Sequence, residues 1–189
     1  MLQARPYLDH RERTMRHRMH GLTSTTLLAA ANTLLFVRGC HPTSPPEPKP
    51  PANEQLLLKV HARGDQIYTC KSDGAQFTWT LKAPDAQLFD KHGKPFGKHF
   101  AGPSWEANDG SRVTGKAVVN VPSRQADSIP WLLINILSHD GKGVLSRATT
   151  IQRVKTKGGK APASGCDASH AGQEVRVSYS ADYLFYTPK

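Results

Sequence analysis

The residues with the most chemical potential in this chain lie between His99 and Ser111, in the sequence HFAGPSWEANDGS. An aromatic ring beside carboxylate and amide groups is typical of a saccharide site, because the ring covers the apolar face of a sugar while the polar groups bind its hydroxyls. We therefore predict a site for a saccharide or another small polar ligand here, formed by His99, Trp105, Glu106, Asn108 and Asp109.

The same segment has a simpler structural interpretation, which its composition favours. Trp105 then packs in the core, Asp109-Gly110 forms a turn, and Glu106 is solvated. A third interpretation takes Glu106 and Asp109 as an acid and a base, as in a glycosidase, which would make the protein a secreted hydrolase. Two carboxylates so close in sequence are common by chance, so no catalytic residue is assigned.

Other catalytic and binding motifs are absent from the sequence. The histidines and cysteines do not form His-x-His, His-Glu-x-x-His or Cys-x-x-Cys patterns, so no metal site is predicted. Segment 102–106, GPSWE, lacks the last glycine of a nucleophile elbow, and segment 157–160, KGGK, lacks the spacing of a phosphate loop. We predict no cofactor, and the sequence leaves open whether the protein is an enzyme.

The first 40 residues have the pattern of a bacterial export signal. Basic residues precede an apolar run, Leu22–Val37, and Gly39-Cys40 closes the segment. The run is too short and too polar for a permanent membrane span, which needs roughly 20 apolar residues. Its end resembles a lipoprotein signal, although Arg38 is unusual there, so we expect either lipid on Cys40 or plain secretion. Residues 1–39 are the predicted signal peptide, and residues 1–14 are interpreted as an over-extended start.

Export determines the expected location and partners. We predict an extracytoplasmic protein, either a cell-envelope lipoprotein that meets the membrane through its lipid or a secreted or periplasmic protein. The formal charge of +10 falls to +6 beyond residue 39, where 19 Lys and Arg stand against 13 Asp and Glu. These cations are scattered, without a basic run interleaved with aromatic residues, so we predict no nucleic-acid partner. The sequence does not indicate an oligomeric state.

The remaining cysteines predict a disulfide. If Cys40 carries lipid, Cys70 and Cys166 are left as one pair, and an oxidising compartment favours a bond between them. Two buried free thiols are the alternative.

The exported part is organised as a tether and one domain. Residues 41–53, HPTSPPEPKPPAN, contain six prolines and favour extended backbone. We therefore predict a linker over residues 40–54 and a single β-rich domain over residues 55–189. Its predicted strands are Gln55–His61, Gln66–Cys70, Phe77–Lys82, Ala86–Asp90, Arg112–Val121, Ile129–His139, Val144–Val154, Glu174–Ser180 and Tyr183–Tyr186.

The spacing of these strands predicts an all-β fold, an antiparallel sandwich or barrel with long loops. Arg63-Gly64-Asp65 is predicted as a turn, and so is Asp109-Gly110. Among the expected buried residues are Trp79, Trp131, Leu133 and Phe185.

Six segments occur in order: GDQIYTC (64–70), FTWTLKAPDAQLFD (77–90), HFAGPSWEANDGS (99–111), IPWLL (129–133), IQRVKTKGGKAP (151–162) and GCDASHAGQEVRVSYSADYLFY (165–186). Together they resemble an uncharacterised family of exported bacterial and fungal proteins, the domain of unknown function 3455. The resemblance implies a secreted β-rich domain and no particular activity. Some fungal relatives carry a malate dehydrogenase label, which we do not transfer because this chain lacks the Gly-x-Gly-x-x-Gly of a dinucleotide site.

Three functions follow as hypotheses. The first is an extracytoplasmic module, lipid-anchored at the envelope, that binds a saccharide or small polar ligand. The second is the secreted hydrolase that uses Glu106 and Asp109. The third is a structural or protein-interaction lipoprotein, which an exposed apolar patch without a concave pocket would favour.

Overall fold

The computed structural model describes residues 46–189, and the eight strands in that range form one closed antiparallel barrel. Each strand pairs with the next in sequence, and the last pairs with the first. The strands are β1 (Glu54–Asp73), β2 (Gln76–Phe89), β3 (Pro95–Phe100), β4 (Ser104–Ala107), β5 (Arg112–Val121), β6 (Trp131–Asp140), β7 (Thr150–Gly158) and β8 (Glu174–Pro188). The all-β, antiparallel prediction is confirmed, and the architecture is the barrel rather than the sandwich.

Several strands are longer than the sequence pattern predicts. β1 continues through Arg63-Gly64-Asp65, where a turn was expected, and pairs there with both β2 and β8. Gly64 is required for space: a Cβ atom on it would lie 2.1 Å from the carbonyl oxygen of Asp85 and 2.5 Å from Cα of Ala86. The glycine thus permits a close approach of β1 and β2, a role that sequence alone does not separate from a turn. β2 and β8 likewise each unite two predicted strands.

The interior of the barrel holds the main core, because alternate residues of each strand face inward. Residues buried in this core include Val60, Ala62, Leu88, Trp105, Val113, Ile134, Ile151, Tyr183 and Phe185. Trp131, Leu133 and Phe185 are buried, as predicted. The fourth prediction, Trp79, is wrong: this residue is only half-buried near the β1–β2 turn, where its Nε1 donates to the carbonyl of Ser164 at 2.9 Å.

The two ends of the barrel differ. At one end a 3₁₀ helix, Val144–Arg147, occupies residues predicted to belong to a strand, and β7 begins only at Thr150. Leu145 of this helix is fully buried in the core cluster, so the helix covers that end. The opposite end carries the β3–β4 turn, the β5–β6 connection and the long β7–β8 loop, which contains the 3₁₀ helix Ala168–His170.

Cys70 and Cys166 form the predicted disulfide, which joins β1 to the β7–β8 loop. Backbone hydrogen bonds reinforce the junction: Cys70 donates to the carbonyl of Gln173 and accepts from the N–H of Gly172, both at 2.9 Å. The long loop is therefore fastened to the first hairpin by one covalent bond and two backbone bonds.

The described part of the proline-rich segment, residues 46–53, contacts the barrel. Pro48 is buried, and its carbonyl oxygen accepts a hydrogen bond from Nε2 of Gln152 at 2.5 Å. Oε1 of Glu54 accepts hydrogen bonds from the hydroxyls of Thr149 (2.7 Å) and Thr150 (3.0 Å). The composition of this stretch had suggested an extended linker that stands away from the domain. Its described part instead packs on the domain. The predicted signal peptide and Cys40 lie outside the described residues. Within residues 46–189, no helix is long and apolar enough to cross a membrane.

Candidate ligand-binding cavity

Two of the five predicted site residues, His99 and Trp105, lie inside the barrel next to each other. They are direct cross-strand partners on β3 and β4. Their rings stack with centroids 4.3 Å apart and planes 11° apart, and Tyr183 of β8 packs edge-on against both. Cross-strand aromatic pairs stabilise a sheet, and this one also forms a flat surface in the interior.

His99 is held neutral in one tautomer. Its Nδ1–H donates to the carbonyl oxygen of Ser104 at 2.8 Å. Burial lowers the pKa of His99 to about 3; the bond to Ser104 opposes this shift, and the positive charge of Arg153 adds to it. Because Nδ1 carries the hydrogen, Nε2 is the acceptor of the ring.

A cavity of about 520 Å³ opens at the end of the barrel opposite the Val144–Arg147 helix. Its size falls in the range of small-molecule sites. Polar and aromatic groups meet apolar walls in it, and its lining includes Gln66, Tyr68, Pro84, His99, Pro103, Trp105, Ala117, Ile129, Leu132, Ile134 and Arg153. An eight-stranded barrel has an interior wide enough to hold one small ligand, and the cavity lies where such a ligand would enter.

Arg153 is the charged residue that β7 contributes to this cavity. The side chain is half-buried, and its Nε and Nη2 both donate to the carbonyl oxygen of Pro130, at 3.0 and 2.9 Å. Its positive charge also reaches Tyr68. Burial raises the pKa of that hydroxyl, and Arg153 partly offsets the rise.

Several interior donors have no hydrogen-bond partner among the described residues. They are Gln66 Nε2, Trp105 Nε1, Tyr179 OH and Tyr183 OH. Burial, reinforced by Tyr183, raises the pKa of Tyr179, which therefore stays protonated. These atoms have almost no surface open to the cavity, and Gln66, Tyr179 and Tyr183 lie close enough to affect one another, so we assign them no contact with a ligand.

The other three predicted site residues lie away from the cavity. Glu106 follows Trp105 on β4 and faces the other side of the sheet, where it pairs with Lys98 at 3.2 Å and approaches Arg112 at 4.0 Å. Asn108 donates from Nδ2 to the carbonyl of Pro95 at 3.0 Å. The five residues therefore do not form one site, because neighbouring residues of a strand point to opposite faces.

Asp109 makes hydrogen bonds that stabilise the local structure. Its carboxylate accepts hydrogen bonds from the backbone and hydroxyl of Ser111, at 2.9 and 2.6 Å, and from the backbone N–H of Val144 at 2.7 Å. The hydroxyl of Ser111 lowers its pKa most, followed by the two N–H groups. Asp109-Gly110 forms the predicted turn, and the carboxylate also holds the start of the 3₁₀ helix. A depressed pKa does not suit a general acid, and Glu106 is engaged with cations, so the geometry does not favour the hydrolase pair.

A larger surface groove, about 900 Å³, lies outside the barrel along β1, β7 and β8. Its buried carboxylate, Asp182, is already paired with Lys59 at 2.8 Å, with His61 at 2.9 Å and with Lys155 at 3.7 Å. Because these charges satisfy one another, the internal cavity is the stronger candidate. Among residues 46–189, no group of three or more His, Cys, Asp or Glu side chains is arranged to hold a metal ion.

Sequence reasoning missed Gln66, Tyr68 and Arg153. Gln66 and Tyr68 are buried positions of β1 between half-buried neighbours, but the sequence around them does not alternate apolar and polar residues in that phase, so it carried no signal. Arg153 had no signal either, because an arginine in a strand usually points to solvent.

The family model for proteins of unknown function (DUF3455) matches residues 50–187. The chain belongs to this family. The match covers all eight strands except the last residue of β8, and it includes the residues that line the cavity. No curated protein matches the chain, and no solved structure matches it.

Proposed function

We propose that this family member is an extracytoplasmic binding module, held at the cell envelope by lipid on Cys40, whose barrel takes up a saccharide or another small polar ligand. The observation that carries the proposal is the internal cavity of about 520 Å³, whose lining combines apolar walls with the half-buried guanidinium of Arg153. A cavity of this size with few polar groups suits a small molecule.

Two observations support an extracytoplasmic location. The export pattern ends at Gly39-Cys40. The Cys70–Cys166 disulfide belongs to an oxidising compartment. The third hypothesis, an interaction lipoprotein, is less favoured because it expects no concave pocket. The exposed large apolar residues are spread over four strands; they are Leu56, Leu81, Val118, Val119 and Leu137.

The cavity is tested with N-phenyl-1-naphthylamine, a neutral probe whose fluorescence rises in an apolar environment. We expect one saturable site per chain. Ala117→Trp, which fills the mouth of the cavity, should abolish binding. Val118→Trp is the matched control, because Val118 is 52% exposed and does not line the cavity, and it should bind the probe as the wild type does. Equal binding by both variants, or no binding by the wild type, would refute a ligand-binding barrel.

The lipid anchor is tested separately by expression in a Gram-negative host. We expect the mature protein to begin at Cys40, to carry the mass of acyl chains and to fractionate with membranes. Cys40→Ser should release it. An unacylated N-terminus would refute the lipid anchor and favour secretion. It would not affect the proposal that the cavity binds a ligand.

A further inference from the structure

We infer that the ligand of the cavity is anionic and that its carboxylate, or a comparable oxyanion, binds Arg153. The inference rests on the proposed function and narrows the class of ligand from any small polar molecule to one with a negative charge. It also separates acidic saccharides and organic acids, which share this group, from neutral sugars.

The first argument is that the charge of Arg153 has no counter-ion within residues 46–189. Among the described residues, no carboxylate oxygen lies within 4 Å of its guanidinium group. Its hydrogen bonds to this part of the chain go only to the carbonyl of Pro130. A cation that is half-buried against apolar walls is stabilised by an anion more strongly than an exposed one, because the surroundings screen less.

The second argument is that nearby residues do not supply a negative charge. His99 is neutral, since burial lowers its pKa to about 3. Tyr68 donates its hydroxyl to the carbonyl of Gly159 at 2.6 Å, and burial raises its pKa, so it stays protonated. The other charged residue of the lining, Lys82, is paired with Glu174 at 2.6 Å, so the unpaired charge of the cavity is that of Arg153.

The third argument is the hydrogen-bond character of the lining. Arginine has five N–H donors and no acceptor, and Arg153 uses only two of its nitrogens on Pro130. An oxyanion, which only accepts, matches the remaining N–H groups of this guanidinium better than a hydroxyl does.

The remaining lining describes the body of the ligand. Ile129, Leu132, Ile134 and Pro84 form apolar walls beside these donors. The chemistry thus fits a compact organic acid with an apolar or flat body, or a sugar acid that places one ring face on this surface. The competition experiment below distinguishes the organic acid from the sugar acid.

The test measures displacement of N-phenyl-1-naphthylamine by matched anionic and neutral competitors. One pair is phenylacetate and phenylacetamide, and the other is glucuronate and glucose. We expect the anionic member of at least one pair to displace the probe at a concentration at least about tenfold lower than its neutral partner, as a hydrogen-bonded charge predicts. The pair with the larger difference in displacing concentration shows whether the ligand resembles an aromatic acid or a sugar acid. Added salt should reduce the preference.

Variants at Arg153 assign the preference. Arg153→Gln should remove it, and Arg153→Lys, which keeps the charge, should retain most of it. The matched control is Arg124→Gln, because Arg124 lies outside the cavity with its guanidinium 5.0 Å from the ring centroid of Trp131. Melting temperatures of all variants verify folding.

The outcomes separate the two proposals. If the probe does not bind to the wild type, the proposed function fails and this inference fails with it. If the probe binds but anionic and neutral competitors act alike, the binding module stands and the anionic ligand is refuted. A preference that survives Arg153→Gln would also refute the assignment to this residue.

Discussion

The rings of His99 and Trp105 stack at 4.3 Å because the two residues are direct partners across β3 and β4. The short connection of residues 101–103 joins these strands, and the carbonyl of Ser104 at its end fixes the imidazole through Nδ1. One small hairpin thus presents a flat aromatic pair to the interior of the barrel. Glu106, the next residue, faces the opposite side and pairs with Lys98.

The burial of His99 predicts a loss of stability as the pH falls. The pKa of His99 in the folded protein is about 3, below the ordinary value of 6.5. Between these two pH values the unfolded chain binds a proton at His99 and the folded protein does not. The free energy of unfolding should therefore fall from pH 6.5 towards pH 3, by up to about 1.4 kcal/mol per pH unit. Above pH 6.5 this residue should contribute no pH dependence.

The measurement is urea unfolding at several pH values between 7 and 5, where the aspartates with lowered pKa values are still ionised. His99→Gln should flatten the curve in that window. His92→Gln, in the exposed β2–β3 turn, is the control and should leave the slope unchanged. An identical slope in the wild type and His99→Gln would contradict the prediction.

The Cys70–Cys166 disulfide, which fastens the β7–β8 loop to β1, is expected to contribute strongly to the stability of the domain. Cys70→Ser should lower the free energy of unfolding by about 2–5 kcal/mol, because the bond closes a segment with a separation of 96 residues and restricts the unfolded chain. Adding Cys166→Ser should cost little more, because the two residues act as one unit. Thermal melts measure both, and thiol labelling of the denatured, unreduced protein checks the bond. Two labelled thiols in protein lacking Cys40 would contradict it.

Asp109 is expected to act in folding rather than in chemistry. Asp109→Ala removes the acceptor for Ser111 and for the N–H of Val144, and should cost about 1–3 kcal/mol of stability. Asp73→Ala, at the exposed end of β1, is the comparison and should cost less than about 0.5 kcal/mol. Denaturant unfolding gives both values. Asp109→Ala should leave probe binding intact, and a selective loss of binding without a loss of stability would point instead to a functional role.

Gly64 is expected to tolerate no side chain. In Gly64→Ala the new Cβ would meet the backbone of Asp85 and Ala86 at 2.1 and 2.5 Å, so β1 and β2 would have to separate. Gly74→Ala is the useful comparison: it lies in open space at φ +63°, and only the backbone conformation opposes the change, at about 1–2 kcal/mol. A smaller loss of melting temperature for Gly64→Ala than for Gly74→Ala would show that the strands adjust easily.

The fold class was accessible from the sequence because its signals are local. Alternating apolar residues, β-branched residues and turn dipeptides such as Asp109-Gly110 act over a few positions. The cysteine pair was accessible by count and compartment. Strand lengths were harder to predict from the sequence. Arg63-Gly64-Asp65 has the composition of a turn, but Gly64 lies inside β1, where the proximity of Asp85 leaves no room for a side chain.

The site was accessible only in part, for a geometric reason. The sequence by itself singled out His99 and Trp105 by residue type, and showed that Cys70 and Cys166 were available as a pair. It predicted no strand over residues 91–111, so β3 and β4 emerged only from the tertiary structure. It did not determine which face of each strand turns inward, because β-bulges such as the one between Ile67 and Tyr68 shift the register of neighbouring strands. Closure of the barrel decided the rest. It brings Arg153 of β7 and Gln66 of β1 into the same cavity as Trp105 of β4, through pairings between strands far apart in the chain.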